Sequence, residues 1–294
     1  MKTFVMGDIH GAYKALKQCL ERASFNYEED ELIQLGDVAD GQDEVYQCVE
    51  ELLKVKKLIA IKGNHDEWLN EFIQTAYHPD RWIQGGVATA ISYLRPMGKE
   101  HLVLQSAQGY KTALNPGDIP ETHQLFFRQQ HLYYIDDLNN CFVHAGFDMS
   151  RPFKGQRPQE YYWNRNLWTS AVSFEADKSG QKTKPVFQMA TEFKEIFLGH
   201  TTTAFWKTNH PMHAANLWNL DTGGGSEGRL TIMNLHTKQY WQSDLLRELY
   251  PDGKVMNWRK TQPSVNPELD KSIESGDIDA VRNVYKKIRI SSKP

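Results

Sequence analysis

The chain has 294 residues, of which 40% are hydrophobic and 24% charged, with 8 Trp, 13 Tyr and 13 Phe. That composition suits a globular protein able to bury a sizeable core. A formal net charge of -3 supplies no global field for nucleic acid or an anionic membrane, and no window approaches the ~20 apolar residues of a membrane span.

The N-terminal residues run straight into a Gly-Asp motif, without an apolar stretch of signal-peptide length, so a cytoplasmic protein is expected. Residues 4–6 read as a strand, after which Ala12, Leu16, Cys19, Leu20 and Ala23 recur at helical spacing. Residues 32–35 read as a second strand. Val45, Cys48, Val49, Leu52 and Leu53 mark the next helix at i, i+3, i+4, i+7 and i+8, and residues 58–61 a third strand. This β-α-β-α-β order predicts an α/β sheet. Residues 68–98 read as mostly helical, broken at His78-Pro79 and Gly85-Gly86, and Asn115-Pro116-Gly117-Asp118 as a turn. Apolar runs at 141–143, 196–198, 214–220 and 230–233 are further strand candidates. Residues 149–190 are polar, aromatic and irregular, and are expected to form a long excursion over the site. From 251 onward nine Lys and Arg stand against six Asp and Glu, and Ile278, Val281, Tyr285 and Ile288 put an apolar stripe on one short helix. A main domain over 1–250 and a C-terminal helical extension over 251–294, packed on it, follow from that shift. Cys19, Cys48 and Cys141 have no CxxC spacing and read as buried free thiols, which fits a reducing compartment.

Five short segments each follow a strand-like run: Gly7-Asp8-Ile9-His10-Gly11, Gly36-Asp37-Val38-Ala39-Asp40, Gly63-Asn64-His65-Asp66, Val143-His144-Ala145-Gly146 and Gly199-His200-Thr201. In open α/β sheets functional residues collect at the carboxyl ends of strands, so distant segments can meet there. Asp8 and His10 are two apart and project to one side of an extended chain. With Asp37, Asn64, His144 and His200 they form a mixed oxygen and nitrogen donor set, which suits Mn, Fe or Zn. Taken singly, each segment is ordinary turn chemistry or a core histidine. Five of them, in this order, point to one metal centre.

The ordered set resembles the calcineurin-like metallophosphoesterase superfamily, whose pattern is GDxHG, GDxxD, GNH followed by Asp or Glu, then His and GH. The later segments resemble the branch containing bacterial and phage Ser/Thr phosphoprotein phosphatases and symmetrical dinucleoside tetraphosphatases. Weaker matches to that branch are Trp82, Gly85 and Gly86 with Thr89, Ser92 and Tyr93, then Trp163-Asn164-Arg165 and Asp221-Thr222-Gly223; together the likeness covers roughly residues 1–245.

The resemblance implies a four-layer αββα sandwich, two mixed β-sheets flanked by helices, with residues 1–250 as the catalytic domain. It implies two divalent cations, Mn2+ first, with Fe, Zn, Ni or Co as alternatives. Asp8, His10 and Asp37 would hold one, and Asp37, Asn64, His144 and His200 the other, with Asp37 bridging and a bridging hydroxide attacking phosphorus. His65 would protonate the leaving oxygen, oriented by Asp40 rather than ligating metal. Lys62 and Arg165 would grip phosphate. Two departures weaken that grip: Gly41-Gln42 stand where Arg-Gly is usual, and Lys62 stands where Arg precedes Gly-Asn-His. Arg offers phosphate a planar fork and Lys only a point charge. The implied activity is a phosphomonoesterase of protein Ser/Thr phosphatase type. The alternative is a nucleotide hydrolase: a dinucleoside polyphosphatase, phosphodiesterase or polynucleotide-end phosphatase. The expected partner is a phosphorylated protein, phosphomonoester or nucleotide, with no membrane and no general nucleic-acid affinity.

Overall fold

A computed structural model describes residues 1–78, 82, 85–106, 109–178 and 192–251. Strand β1 (Thr3–Met6) is buried along its whole length, as a central strand covered on both faces must be. Helix α1 (Tyr13–Arg22) buries Ala15, Leu16, Cys19 and Leu20, the stripe set by its spacing. Strand β2 (Glu31–Gln34), helix α2 (Val45–Leu52) and strand β3 (Lys57–Ala60) complete the expected β-α-β-α-β unit. Next come α3 (Asn64–Thr75), α4 (Gly86–Leu94), a ribbon of β4 (Leu104–Ser106) and β5 (Gly109–Lys111), and α5 (Glu121–Gln129). The remainder is β6 (Tyr133–Ile135), β7 (Cys141–Val143), α6 (Pro158–Trp163), α7 (Asn166–Lys178), β8 (Ile196–Leu198), β9 (Met212–Ala214), β10 (Leu217–Asn219), β11 (Thr231–Asn234), β12 (Tyr240–Gln242) and α8 (Leu246–Leu249).

Two five-stranded sheets result, ordered β12-β11-β1-β2-β3 and β6-β7-β8-β10-β9. Both are mixed: β1, β2 and β3 run parallel, as do β7, β8 and β10, while β11, β12, β6 and β9 pair antiparallel with their neighbours. Alternation along each strand divides the core. Val5, Ile33, Phe142, Phe197 and Met233 meet between the sheets, with the Phe142 and Phe197 rings stacked at 5.1 Å. Phe4, Met6 and Leu32 turn the other way, into a cluster with α1 and α2, and Val143, Ile196 and Leu198 into one with α7. Each such side chain contributes about 1.5–3 kcal/mol on burial. This is the four-layer αββα arrangement implied by the resemblance.

Two expectations change. Residues 149–190 are irregular only up to 157 in their described part: α6 then begins with Pro158 at its first position, where a missing N–H costs nothing, and α7 follows almost at once. The run 214–220 is two antiparallel strands, β9 and β10, because Ala215 turns the chain at a φ of 54°. The expected turn at Asn115 forms, as one 3-10 turn over Pro116–Asp118, and the Asp118 carboxylate accepts from the Asn115 N–H. The stripe of Ile278, Val281, Tyr285 and Ile288 lies outside the described residues. Tyr250, directly after α8, ties the end of the described chain to α1 and α2: it donates to Glu44 at 2.5 Å and accepts from the Lys14 N–H at 2.9 Å. All three cysteines are buried and unpaired. Among the described residues no helix is long and apolar enough to cross a membrane.

Candidate metal centre

The loops after β1, β2, β3, β7 and β8 carry the chemistry-bearing residues to one edge, the carboxyl ends of the parallel strands. The turns are tight. His10, Asp37, Asp40 and His200 all adopt left-handed backbone, with φ between 48° and 69°. Such conformations cost about 1–3 kcal/mol each and persist only where the surroundings enforce them. Two glycines make room for the carboxylates. A Cβ on Gly199 would lie 2.0 Å from Asp8 Oδ1, and one on Gly63 the same distance from Asp37 Oδ1.

Asp37 is the hub. Its Oδ2 lies 3.5 Å from His10 Nε2 and 3.3 Å from His144 Nε2, and Asn64 Oδ1 lies 3.3 Å from that same His144 nitrogen. His144 Nδ1 donates to the Leu35 carbonyl at 2.8 Å, and His10 Nδ1 to the Ala39 carbonyl at 3.2 Å. A carbonyl only accepts, so both neutral rings turn an unprotonated Nε2 toward Asp37. Lone pairs then face lone pairs, an arrangement that calls for a cation or an added proton. Without a cation the charges respond. Burial opposes ionisation of Asp37, but His144, His65 and His10 outweigh it and hold the carboxyl well below its ordinary range. Burial likewise opposes charge on His144, but Asp37 outweighs it and raises its proton affinity. At His10 burial wins and lowers the value to about 4.

Two buried atoms complete the case. Asp8 Oδ2 accepts from the His200 N–H at 3.0 Å, whereas Asp8 Oδ1 and His200 Nε2 have no hydrogen-bond partner. Orphaned buried polar atoms are costly unless something fills them. Burial, followed by Asp221 and Asp37, pushes the Asp8 carboxyl well above its usual range. Donor atoms of His10, Asp37 and His65 lie within 4.8 Å of one another, and so do those of Asp37, His144 and His200, the two groups sharing Asp37. An oxygen and imidazole set with unfilled lone pairs fits two divalent cations.

His65 stands beside this centre with its Nδ1 2.7 Å from Asp40 Oδ2 and its ring edge-on to His10 at 4.9 Å. Its backbone N–H donates to Asp37 Oδ1 at 3.0 Å. Arg165 lies at the rim, donating to the His200 carbonyl and to Thr201 Oγ1 at 3.2 Å each. Lys62 is nearly buried and pairs with Glu67 at 2.6 Å. The family arginine has no room at position 41: a Cβ there would meet His10 Cβ and carbonyl oxygen at 2.7 Å, on a backbone with φ of 79°. Arg95 and Arg151 are engaged with Asp43 and Asp148. Beside His65, Trp68 (4.6 Å between rings) and then Trp163 form an aromatic wall that reaches His200.

Sequence reasoning passed over Asp66. This fully buried carboxylate accepts from the N–H groups of Val38, Ala39 and Gly63 and from Gln130, at 2.8–3.1 Å, and so ties the loop after β2 to the start of α3. Its place three residues after Gly63, where a helix-capping acid reaches back to the chain, was the available signal. Asp221 was noted only as a weak match. It is buried near Asp8 and Asp37, and burial raises its carboxyl to about 6.

A model of the calcineurin-like phosphoesterase family matches residues 1–203. A symmetrical bis(5'-nucleosyl)-tetraphosphatase of Haemophilus ducreyi is 34% identical over 84% of this chain and 100% of its own length. Serine/threonine-protein phosphatase 2 of Escherichia coli is 24% identical over 79% of this chain and 92% of its own. Among solved structures, that of a suspected diadenosine tetraphosphatase superposes with a TM-score of 0.55 at 16% identity, over 82% of this chain and 92% of that one, which shows the shared fold.

Proposed function

This chain belongs to the calcineurin-like phosphoesterase family, and from that premise we propose that it hydrolyses phosphomonoesters in the manner of a protein Ser/Thr phosphatase, with Mn2+ as the preferred cation. The observation that carries the reading is the pairing of His65 with buried Asp40 beside a donor set whose Asp8 and His200 atoms lack partners. A binding module needs the second feature but has no use for the first.

Two bound divalent cations supply charge neutralisation at the phosphoryl group and acidification of a water. Asp8, His10 and Asp37 would hold one, and Asp37, Asn64, His144 and His200 the other. In hydrolysis a water oxygen bonds to phosphorus, the ester P–O bond breaks and the departing oxygen takes a proton. His65 supplies that proton from Nε2, because Asp40 occupies Nδ1; such an acid contributes about 10²–10⁴-fold. Arg165, between α6 and α7 and bonded to the His200 loop, steers phosphoryl oxygens. Lys62, already shared with Glu67, takes a lesser part in the grip. Three buried thiols are compatible with a cytoplasmic setting.

The second reading, a nucleotide hydrolase, is favoured by half-buried Trp163 beside His200, which offers a stacking edge, and by the excluded arginine at Gly41, which loosens the clamp on a terminal phosphate. A phosphoserine peptide, diadenosine tetraphosphate and a bis-aryl phosphodiester, each assayed with added Mn2+, separate the readings. The phosphopeptide should give the highest kcat/KM; a clear preference for the dinucleotide would replace the first reading by the second.

A further inference from the structure

Asp40 is fully buried on left-handed backbone, and every contact of its carboxylate is directional. Oδ2 meets His65 Nδ1 at 2.7 Å. Oδ1 accepts from Thr89 Oγ1 at 2.6 Å and from Trp82 Nε1 at 3.0 Å. The Thr89 hydroxyl also accepts from the Asp40 backbone N–H at 3.0 Å. One hydroxyl therefore closes a ring through both the main chain and the side chain of Asp40, using its single proton and a lone pair. An indole nitrogen can only donate, so Oδ1 has to be an acceptor there.

The supports are themselves fixed. His78 stacks on the Trp82 indole at 5.1 Å and 27°, and Phe72 packs 5.0 Å away. Gly85 leaves no gap on the remaining side: a Cβ there would lie 2.7 Å from Asp40 Cβ. The carboxylate thus sits against the first turn of α4, where the helix dipole favours an anion.

We propose that Thr89 and Trp82 are positioning residues for the leaving-group proton: they hold Oδ1 of Asp40 so that Oδ2 fixes His65 with Nδ1 protonated and Nε2 turned to the substrate. The inference rests on the general-acid reading of His65. It goes further in making the docking of α4, an element without a metal ligand, a determinant of how well poor leaving groups depart. The aryloxide of an activated aryl phosphate departs unaided, whereas the seryl alkoxide of phosphoserine needs the proton.

The test compares Thr89→Val, which keeps shape and removes the hydroxyl, with Thr89→Ser, which keeps the hydroxyl, alongside Trp82→Phe and His65→Asn. Each is assayed on 4-nitrophenyl phosphate and on a phosphoserine peptide. Thr89→Val and Trp82→Phe should lower kcat on the peptide about 10–100-fold, the range seen when the partners that orient metal-bound histidines are removed, with little change in KM or in aryl ester turnover; Thr89→Ser should restore the rate. In the metal-free protein, 15N-edited NMR should show a protected His65 Nδ1–H in wild type and Thr89→Ser that disappears in Thr89→Val. Equal slowing of both substrates by Thr89→Val, or an unchanged Nδ1–H signal, overturns the inference while leaving His65 as the acid if His65→Asn still discriminates. Equal slowing of both substrates by His65→Asn removes the acid reading and the inference with it.

Discussion

Asp66→Asn tests how the centre is built, without touching a proposed ligand. The carboxylate receives four donors: Val38 and Ala39 N–H on Oδ1, Gly63 N–H and Gln130 Nε2 on Oδ2. An amide keeps one accepting oxygen, so its NH2 must face two donors where Oδ2 stood. Gln130 Oε1 is buried without a partner, so that amide can turn over and accept from the new NH2, giving up the weak 3.4 Å bond from its Nε2 to the Ile61 carbonyl. The larger conflict is the Gly63 N–H, whose unsatisfied burial costs about 1–3 kcal/mol. Loss of charge-assisted strength at Val38 and Ala39 adds about 1 kcal/mol. Burial raises the Asp66 carboxyl, so the neutral amide recovers part of the desolvation cost. The net expectation is a loss of about 2–3 kcal/mol, or roughly 4–12 °C in Tm for a domain of this size. Because Asp66 joins the Asp37 loop to Asn64 and His65, affinity for divalent cations should fall as well. Denaturant unfolding and isothermal titration with Mn2+ measure the two effects. A variant within 0.5 kcal/mol of wild type and binding metal normally would show that the clamp is dispensable.

Asp37→Asn should reduce the bound metal at both positions and abolish hydrolysis, because one carboxylate faces His10 and His144 together; metal analysis after dialysis checks it, and full retention of both ions contradicts the bridging role. Gly199→Ala should displace Asp8, since the new Cβ falls 2.0 Å from its Oδ1; lower metal stoichiometry in a protein with near-native circular dichroism is the expected result. Glu51 is buried at the end of α2, where burial would raise its carboxyl, but Lys54, Tyr27 and Lys17 outweigh it and lower the value from 4.5 to about 2. A depressed carboxyl stabilises the fold above its unfolded pKa and loses that stability as pH falls from about 4.5 toward 2. Glu51→Gln should therefore destabilise the protein at pH 7 and much less near pH 2, which unfolding at the two pH values will show; an equal deficit at both removes the electrostatic cause.

Much of the centre was legible because its chemistry is local. Asp8-Ile-His10 and Gly63-Asn64-His65 bear their donors within two or three residues, and each follows an apolar run whose period marks a strand. The same periodicity disclosed α1, α2 and the first three strands. Elements of three residues, such as β6 and β12, are too short to establish a period. α7 did carry a signal, with Leu167, Trp168, Ala171 and Val172 at helical spacing, but it lay within a polar, aromatic stretch.

The sequence by itself determined the donor set, its order along the chain and the family to which that order points, since residue type and strand-end position are local properties. Only the tertiary structure decided that Asp66 binds two loops together, that Thr89 and Trp82 share Asp40 with His65, that Lys62 is engaged by Glu67, and that Gly41 has no room for an arginine. Apart from the local Lys62–Glu67 pair, those facts depend on which segments touch: pairing β1, β2 and β3 side by side brings their loops together, and docking α4 beside them brings Thr89 to Asp40, contacts that leave no trace in the spacing of the residues they join.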